Sequence, residues 1–210
     1  MRTALCAMVM AGGLGAGVGC QSTGIALNEA FGYAKREQLV DRVQEAKAGQ
    51  EAAKEQFADA LEEFMALTGA SGGELERVYG RLKTQLDRCE GRADAVTSRI
   101  NSVEAVAKSL FAEWERELEE YENQNLRAAS EQQLRDTRAQ YQTLLAAMER
   151  AESRMEPVLQ AFRDQVLFLK HNLNARAVAS LQSEVGAIES EVAGLIAEMN
   201  ASINEANAFI

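Results

Sequence analysis

The chain has 210 residues, 47% of them hydrophobic, one proline and a formal charge of −10. That apolar content excludes wholesale disorder, and the acidic balance excludes a protein that tracks nucleic-acid phosphates. It also counts against simple electrostatic attachment to anionic lipid. The length suits one globular domain or one elongated bundle, and abundant Ala, Glu, Leu and Arg favour long helices.

Arg2 is followed by a run without charge from Thr3 to Asn28, opening on the apolar core Ala4-Leu5-Cys6-Ala7-Met8-Val9-Met10-Ala11. This is an export-type segment, too short and too glycine-rich for a membrane span. It ends Gly17-Val18-Gly19-Cys20, which resembles a bacterial lipobox, with Gly17 where Leu is commonest. The resemblance implies a signal peptide over residues 1–19, cleavage before Cys20, diacylglycerol on its thiol and a lipidated tether over 20–28. Gln21 stands where an inner-membrane retention Asp would be, so the resemblance implies a periplasm-facing protein of the outer membrane. An uncleaved or ordinarily cleaved export signal is the alternative. Cys89 falls at an apolar helical position, so no intramolecular disulfide and no metal-ligand spacing is expected.

Residues 29–210 are expected to form a single helical domain. A first helix is predicted from about Glu29 to Thr68, with the seam Leu39, Val43, Ala46, Gln50, Ala53, Phe57, Ala60, Phe64 and Leu67. Gly69-Ala70-Ser71-Gly72-Gly73 then stops it. The second helix, about Glu74 to Tyr121, carries a 3-4 rhythm: Leu75, Tyr79, Leu82, Leu86, Cys89, Ala93, Val96, Ile100, Val103, Ala107, Leu110 and Trp114. The rhythm skips at Glu117 and returns at Tyr121. Gly91 predicts a local bend.

Asn123-Gln124-Asn125 marks the next turn, and a third helix follows from about Arg127. Its seam is Leu134, Tyr141, Leu145, Met148, Met155, Leu159, Phe162, Val166, Leu169 and Leu173, interrupted by Arg138 and Glu152. Pro157 predicts a kink or restart within a turn of it. A five-residue step from Leu173 to Val178 breaks the rhythm, so His171-Asn172-Leu173-Asn174 is expected to turn, with Asn174 as N-cap. Without that turn, helices three and four would merge into a rod of about 120 Å. The fourth helix should run unbroken to about Ala208 on Val178, Leu181, Val185, Ile188, Val192, Leu195 and Met199.

Residues 126–173 carry 7 bases against 6 acids, whereas residues 29–68 carry 5 against 9, residues 74–122 carry 8 against 12 and residues 174–210 carry 1 against 5. The third helix can therefore sit among acidic neighbours, which favours folding back. The expected fold is all-α: an elongated antiparallel bundle of three to four long helices with coiled-coil character.

No catalytic constellation emerges. The single histidine, His171, suits a helix C-terminus and cannot supply paired metal ligands. The acidic run Glu113 to Glu122 alternates around a helix, so it is expected to be a solvated face and not an oxygen cage. From Val158 to Leu173 apolar residues cover more than half the helix circumference. That segment is expected to be the best-buried and hinge-like part of the chain, or a partner surface formed by Phe162, Val166, Leu167, Phe168 and Leu169.

Two stretches resemble one family. Tyr33-Ala34-Lys35-Arg36-Glu37-Gln38-Leu39-Val40-Asp41-Arg42-Val43 is the first, and the more specific second runs from Met155-Glu156-Pro157-Val158-Leu159 through Lys170-His171-Asn172-Leu173-Asn174-Ala175-Arg176-Ala177. They are similar to the bacterial family called domain of unknown function 2959, over about Phe31 to Ile210. The resemblance implies helical, exported, lipoprotein-like proteins and transfers no functional residue. The expected function is accordingly non-catalytic and without cofactor: an envelope scaffold, membrane-attached through its lipid, that docks a protein partner or itself and binds no nucleic acid. The alternative is an amphipathic helical protein acting on lipid at the membrane surface.

Overall fold

Every seam residue predicted on the first helix is buried, Gln50 included. The computed structural model describes residues 21–70, 74–172 and 174–210. Its helices are α1 (Gln21–Thr68), α2 (Glu74–Glu117), α3 (Gln124–His171), α4 (Ala175–Gln182) and α5 (Val185–Phe209), with one 3-10 turn over Leu118–Glu120. No strand occurs among the described residues, and the all-α reading holds. α1 begins at Gln21, earlier than the expected Glu29, so the helix takes in the segment expected to be a tether. Cys20 and the export segment lie outside the described residues.

Side-chain pairs fix the register. Lys35 meets Glu113 and Glu63 meets Arg81, so α1 and α2 run in opposite directions. Arg163 meets Glu90 and Arg138 meets Glu115, which reverses α3 against α2. Lys54 donates to Asn200 and Gln182 donates to the Thr68 carbonyl, so the last helices run against α1. Arg150 faces Glu198 between α3 and α5. α1 packs on α2 and α5, and α3 packs on the same two, giving an up-down-up-down bundle closed around one apolar core. Bases on α3 pair with acids on α2 and α5, as the charge counts require, although pairs this exposed contribute only a few tenths of a kcal/mol each. The apolar seams hold the fold.

Four local expectations are corrected. α2 does not return to the seam at Tyr121, which is 37% exposed. The chain tightens into the 3-10 turn, and Leu118 is buried in its place. α3 runs unbroken through Pro157, which sits on the exposed side, and α2 runs unbroken through Gly91. On α3 the buried stripe takes Leu144, Ala147, Ala151 and Val158 as well as the seam, while Leu145 is only partly buried. A helix facing two neighbours needs a wider stripe than a two-helix seam.

The expected fourth helix is two helices. Asn174 caps α4 as predicted, its side chain accepting from the backbone of Arg176 and Ala177. Ser183 and Glu184 then interrupt: the Ser183 hydroxyl bonds back to the Ser180 carbonyl, and the Glu184 amide bonds to the Leu181 carbonyl. Ile210 shares a cleft with Gln44 and Lys47, so α5 stops at that level. Beyond it α1, α2 and α3 continue as a three-helix end.

Candidate functional site

The outer face of α3 near its C-terminus and the three-helix end are two places among the described residues where side chains depart from ordinary bundle packing. On α3 the core positions Val158, Leu159, Phe162 and Leu169 are buried. Phe162 stands edge-on to Phe64 of α1, ring centroids 6.3 Å apart and planes at 71°, so these two rings fill the middle of the bundle diagonally. Leu167 and Phe168 are 63% and 41% exposed.

The expected partner surface therefore divides. Phe162 and Leu169 belong to the core, Val166 is partly buried against it, and only Leu167 and Phe168 reach solvent. The segment is not the best-buried part of the chain. Its apolar residues exceed what the core can use, and the surplus faces out. Lys170 and His171 occupy the last turn of α3, where cations suit the helix terminus.

At the three-helix end the expected solvated acidic face is overturned at one residue. Glu113 is 6% exposed, and its Oε2 lies 2.8 Å from Lys35 Nζ on α1. That contact sets the Lys35 ammonium on the buried carboxylate and neutralises it. One turn on, Glu117 Oε1 is buried without a hydrogen-bond donor. Burial, then Glu113 and Glu120, push the Glu117 carboxyl above its ordinary range, against the opposing pull of Arg116 and Lys35. Trp114 donates its indole N–H to Ser130 Oγ on α3 at 2.9 Å. Arg36, Leu110, Glu113, Trp114, Glu117, Tyr121 and Ser130 enclose a cleft there of about 200 Å³.

The signal for this cleft was present in the sequence as Glu117 at a seam position. A charge falling into an apolar rhythm marks a place where the core is not only a core. What spacing could not show was that Lys35, far away in the chain, would draw Glu113 inward too.

Two further buried polar side chains, Gln50 on α1 and Ser202 on α5, have no hydrogen-bond partner. Cys89 is buried, its thiol donating to the Gln56 carbonyl at 3.4 Å, and burial pushes its pKa up to about 12. It is a core residue with little thiolate. Among the described residues no group of three or more His, Cys, Asp and Glu is placed to hold a metal, and no helix is long and apolar enough to cross a membrane.

A family model described as a protein of unknown function, DUF2959, matches residues 25–210. The chain belongs to that family. The match takes in all the helices from the first turns of α1 onward, and so includes both the α3 face and the three-helix cleft of this DUF2959 member. No curated protein and no solved structure matches the chain.

Proposed function

We propose that this DUF2959 protein is a non-catalytic scaffold of the bacterial cell envelope, anchored by lipid on Cys20 and facing the periplasm from the outer membrane. Its bundle docks a protein partner through the outer face of α3. The observation that carries this reading is the pair Leu167 and Phe168, adjacent large apolar side chains left on the outside of the bundle. Surface leucine or phenylalanine is ordinary when isolated. Two in succession at the end of a helix already supplied with a full buried stripe are what a partner-binding face requires.

The anchor reading is supported by Gly17-Val18-Gly19-Cys20 and by the short apolar run before it. α1 begins at Gln21, next to the proposed lipidation site, so the anchor would connect directly to that helix. The alternative, a helix acting on the lipid surface, is less well supported. The apolar stripes of α1, α2, α3 and α5 are taken up by the core, and using them on a membrane would require the bundle to open.

Replacing Leu167 and Phe168 together by serine tests the docking face. The expected result is an unchanged melting temperature with loss of the protein's crosslinks in the native envelope. Retention of the same crosslinks removes the α3 face from the proposal. Cys20→Ser tests the anchor, since the same mature mass and the same membrane fractionation would eliminate lipidation there.

A further inference from the structure

Building on the docking reading of the α3 face, we propose that its occupant is a second copy of this chain. Copies associate head to tail, the basic apolar end of one bundle docking on the acidic apolar end of the next. Six large apolar side chains are exposed among the described residues, and four of them flank α3. Tyr121 and Leu126 stand at its start, and Leu167 and Phe168 stand at its close. An unrelated partner accounts for one of these ends and leaves the other unexplained. Contact between the ends accounts for both.

The charges around the two pairs are opposite. From Glu117 to Leu126 the sequence holds four acids, Glu117, Glu119, Glu120 and Glu122, and no base. From Gln165 to Ser183 it holds Lys170, His171 and Arg176 and no acid, in a chain whose acids outnumber its bases by 32 to 22. Glu119, Glu120 and Glu122 are exposed around Tyr121, and Lys170, His171 and Arg176 are exposed beyond Leu167 and Phe168. Each end therefore offers what the other lacks: apolar area to bury, rimmed by charge of the opposite sign. Within one molecule they cannot meet, because unbroken α3 holds Leu126 and Leu167 about 60 Å apart. An anionic membrane would occupy the basic end alone and leave Tyr121 and Leu126 bare.

A contact between unlike ends leaves each pair with one end of each kind still open, so association propagates as a chain. Lys35 meets Glu113, which sets the start of α1 at the acidic end, beside the connection from α2 to α3. Bundles anchored there by lipid would lie along the membrane. Confinement to that surface raises the effective concentration of ends whose contact area is small.

Photo-crosslinking between two differently tagged full-length copies, produced together in intact cell envelopes, tests the contact. One copy carries a photoreactive phenylalanine analogue at position 167. The expected result is an adduct of two chain masses that bears both tags, with the attachment point between Glu115 and Arg127 of the other copy. Glu120→Lys with Leu126→Ser in that other copy should cut the adduct about tenfold or more, whereas the same pair in the probe-carrying copy should leave it unchanged. Both side chains are exposed, so circular dichroism should show parental helix content in the variant. An adduct with a different protein overturns the second copy and leaves the docking face standing. Adducts with lipid alone, or none, overturn both. Attachment at the basic end of the second copy, or full yield with the folded Glu120→Lys/Leu126→Ser variant, overturns the head-to-tail contact.

Discussion

Phe162→Ala is the substitution whose cost follows most directly from the packing. Phe162 is fully buried, reaches across the bundle from α3, and meets Phe64 of α1 edge-on at 6.3 Å. Truncation to alanine removes the ring's transfer free energy and leaves a cavity between helices that are tied to their neighbours along their length. Such a site collapses poorly, so the loss should fall at about 3–5 kcal/mol. For a domain of this size each kcal/mol moves the melting temperature by about 2–4 °C, so a fall of about 6–20 °C is expected. Leu167→Ala is the control: at 63% exposure it should change stability by no more than about 0.5 kcal/mol. A Phe64→Ala/Phe162→Ala cycle should return a coupling of about 0.5–1.5 kcal/mol for the edge-on pair. Chemical and thermal denaturation monitored by circular dichroism read the parent and the four variants. A melting temperature for Phe162→Ala indistinguishable from that of Leu167→Ala would refute the diagonal core.

Three other expectations follow from single side chains. Gln50 has both amide atoms buried without partners, so Gln50→Met should stabilise the fold by about 1–3 kcal/mol in denaturant titration, and a loss of stability would mean a partner holds the amide. Cys89, buried and with its pKa pushed up to about 12, should react with a thiol reagent at pH 8 only at the rate of unfolding, and fast labelling of native protein would contradict its place in the core. Glu117 has a folded pKa raised above the ordinary 4.5, so its contribution to stability is present at low pH and is lost as pH rises through that folded pKa. Glu117→Gln should therefore melt higher than the parent at pH 7, with the gap closing toward about pH 4, and a gap that widens on acidification would reverse the sign of the argument.

The helices were legible in the sequence where one stripe serves one core. On α1 the 3-4 spacing identified the buried side without error, because each position has the same inward destination. Where geometry rather than period decides, spacing was silent. Val178, Leu181, Val185 and Ile188 keep their rhythm straight through the break between α4 and α5, because Ser183 and Glu184 lie off the seam and disturb it only by local backbone bonding. Asn174, by contrast, was legible as a cap because its side chain acts on residues two and three ahead of it. The outward turn of Leu167 and Phe168 depended on how much apolar surface α2 and α5 could cover, which no single helix encodes. The cleft at the three-helix end depended on Lys35, Glu113 and Ser130 meeting from three helices.

Photo-crosslinking from position 167 in intact cell envelopes tests the docking proposal most directly. A photoreactive phenylalanine analogue is placed there, with exposed position 142, about 37 Å away along the same helix, as control. The account predicts a discrete protein adduct from position 167, absent from position 142 and lost when Phe168 is replaced by serine. Adducts confined to lipid, or the same adducts from both positions, would contradict a protein-docking face on α3.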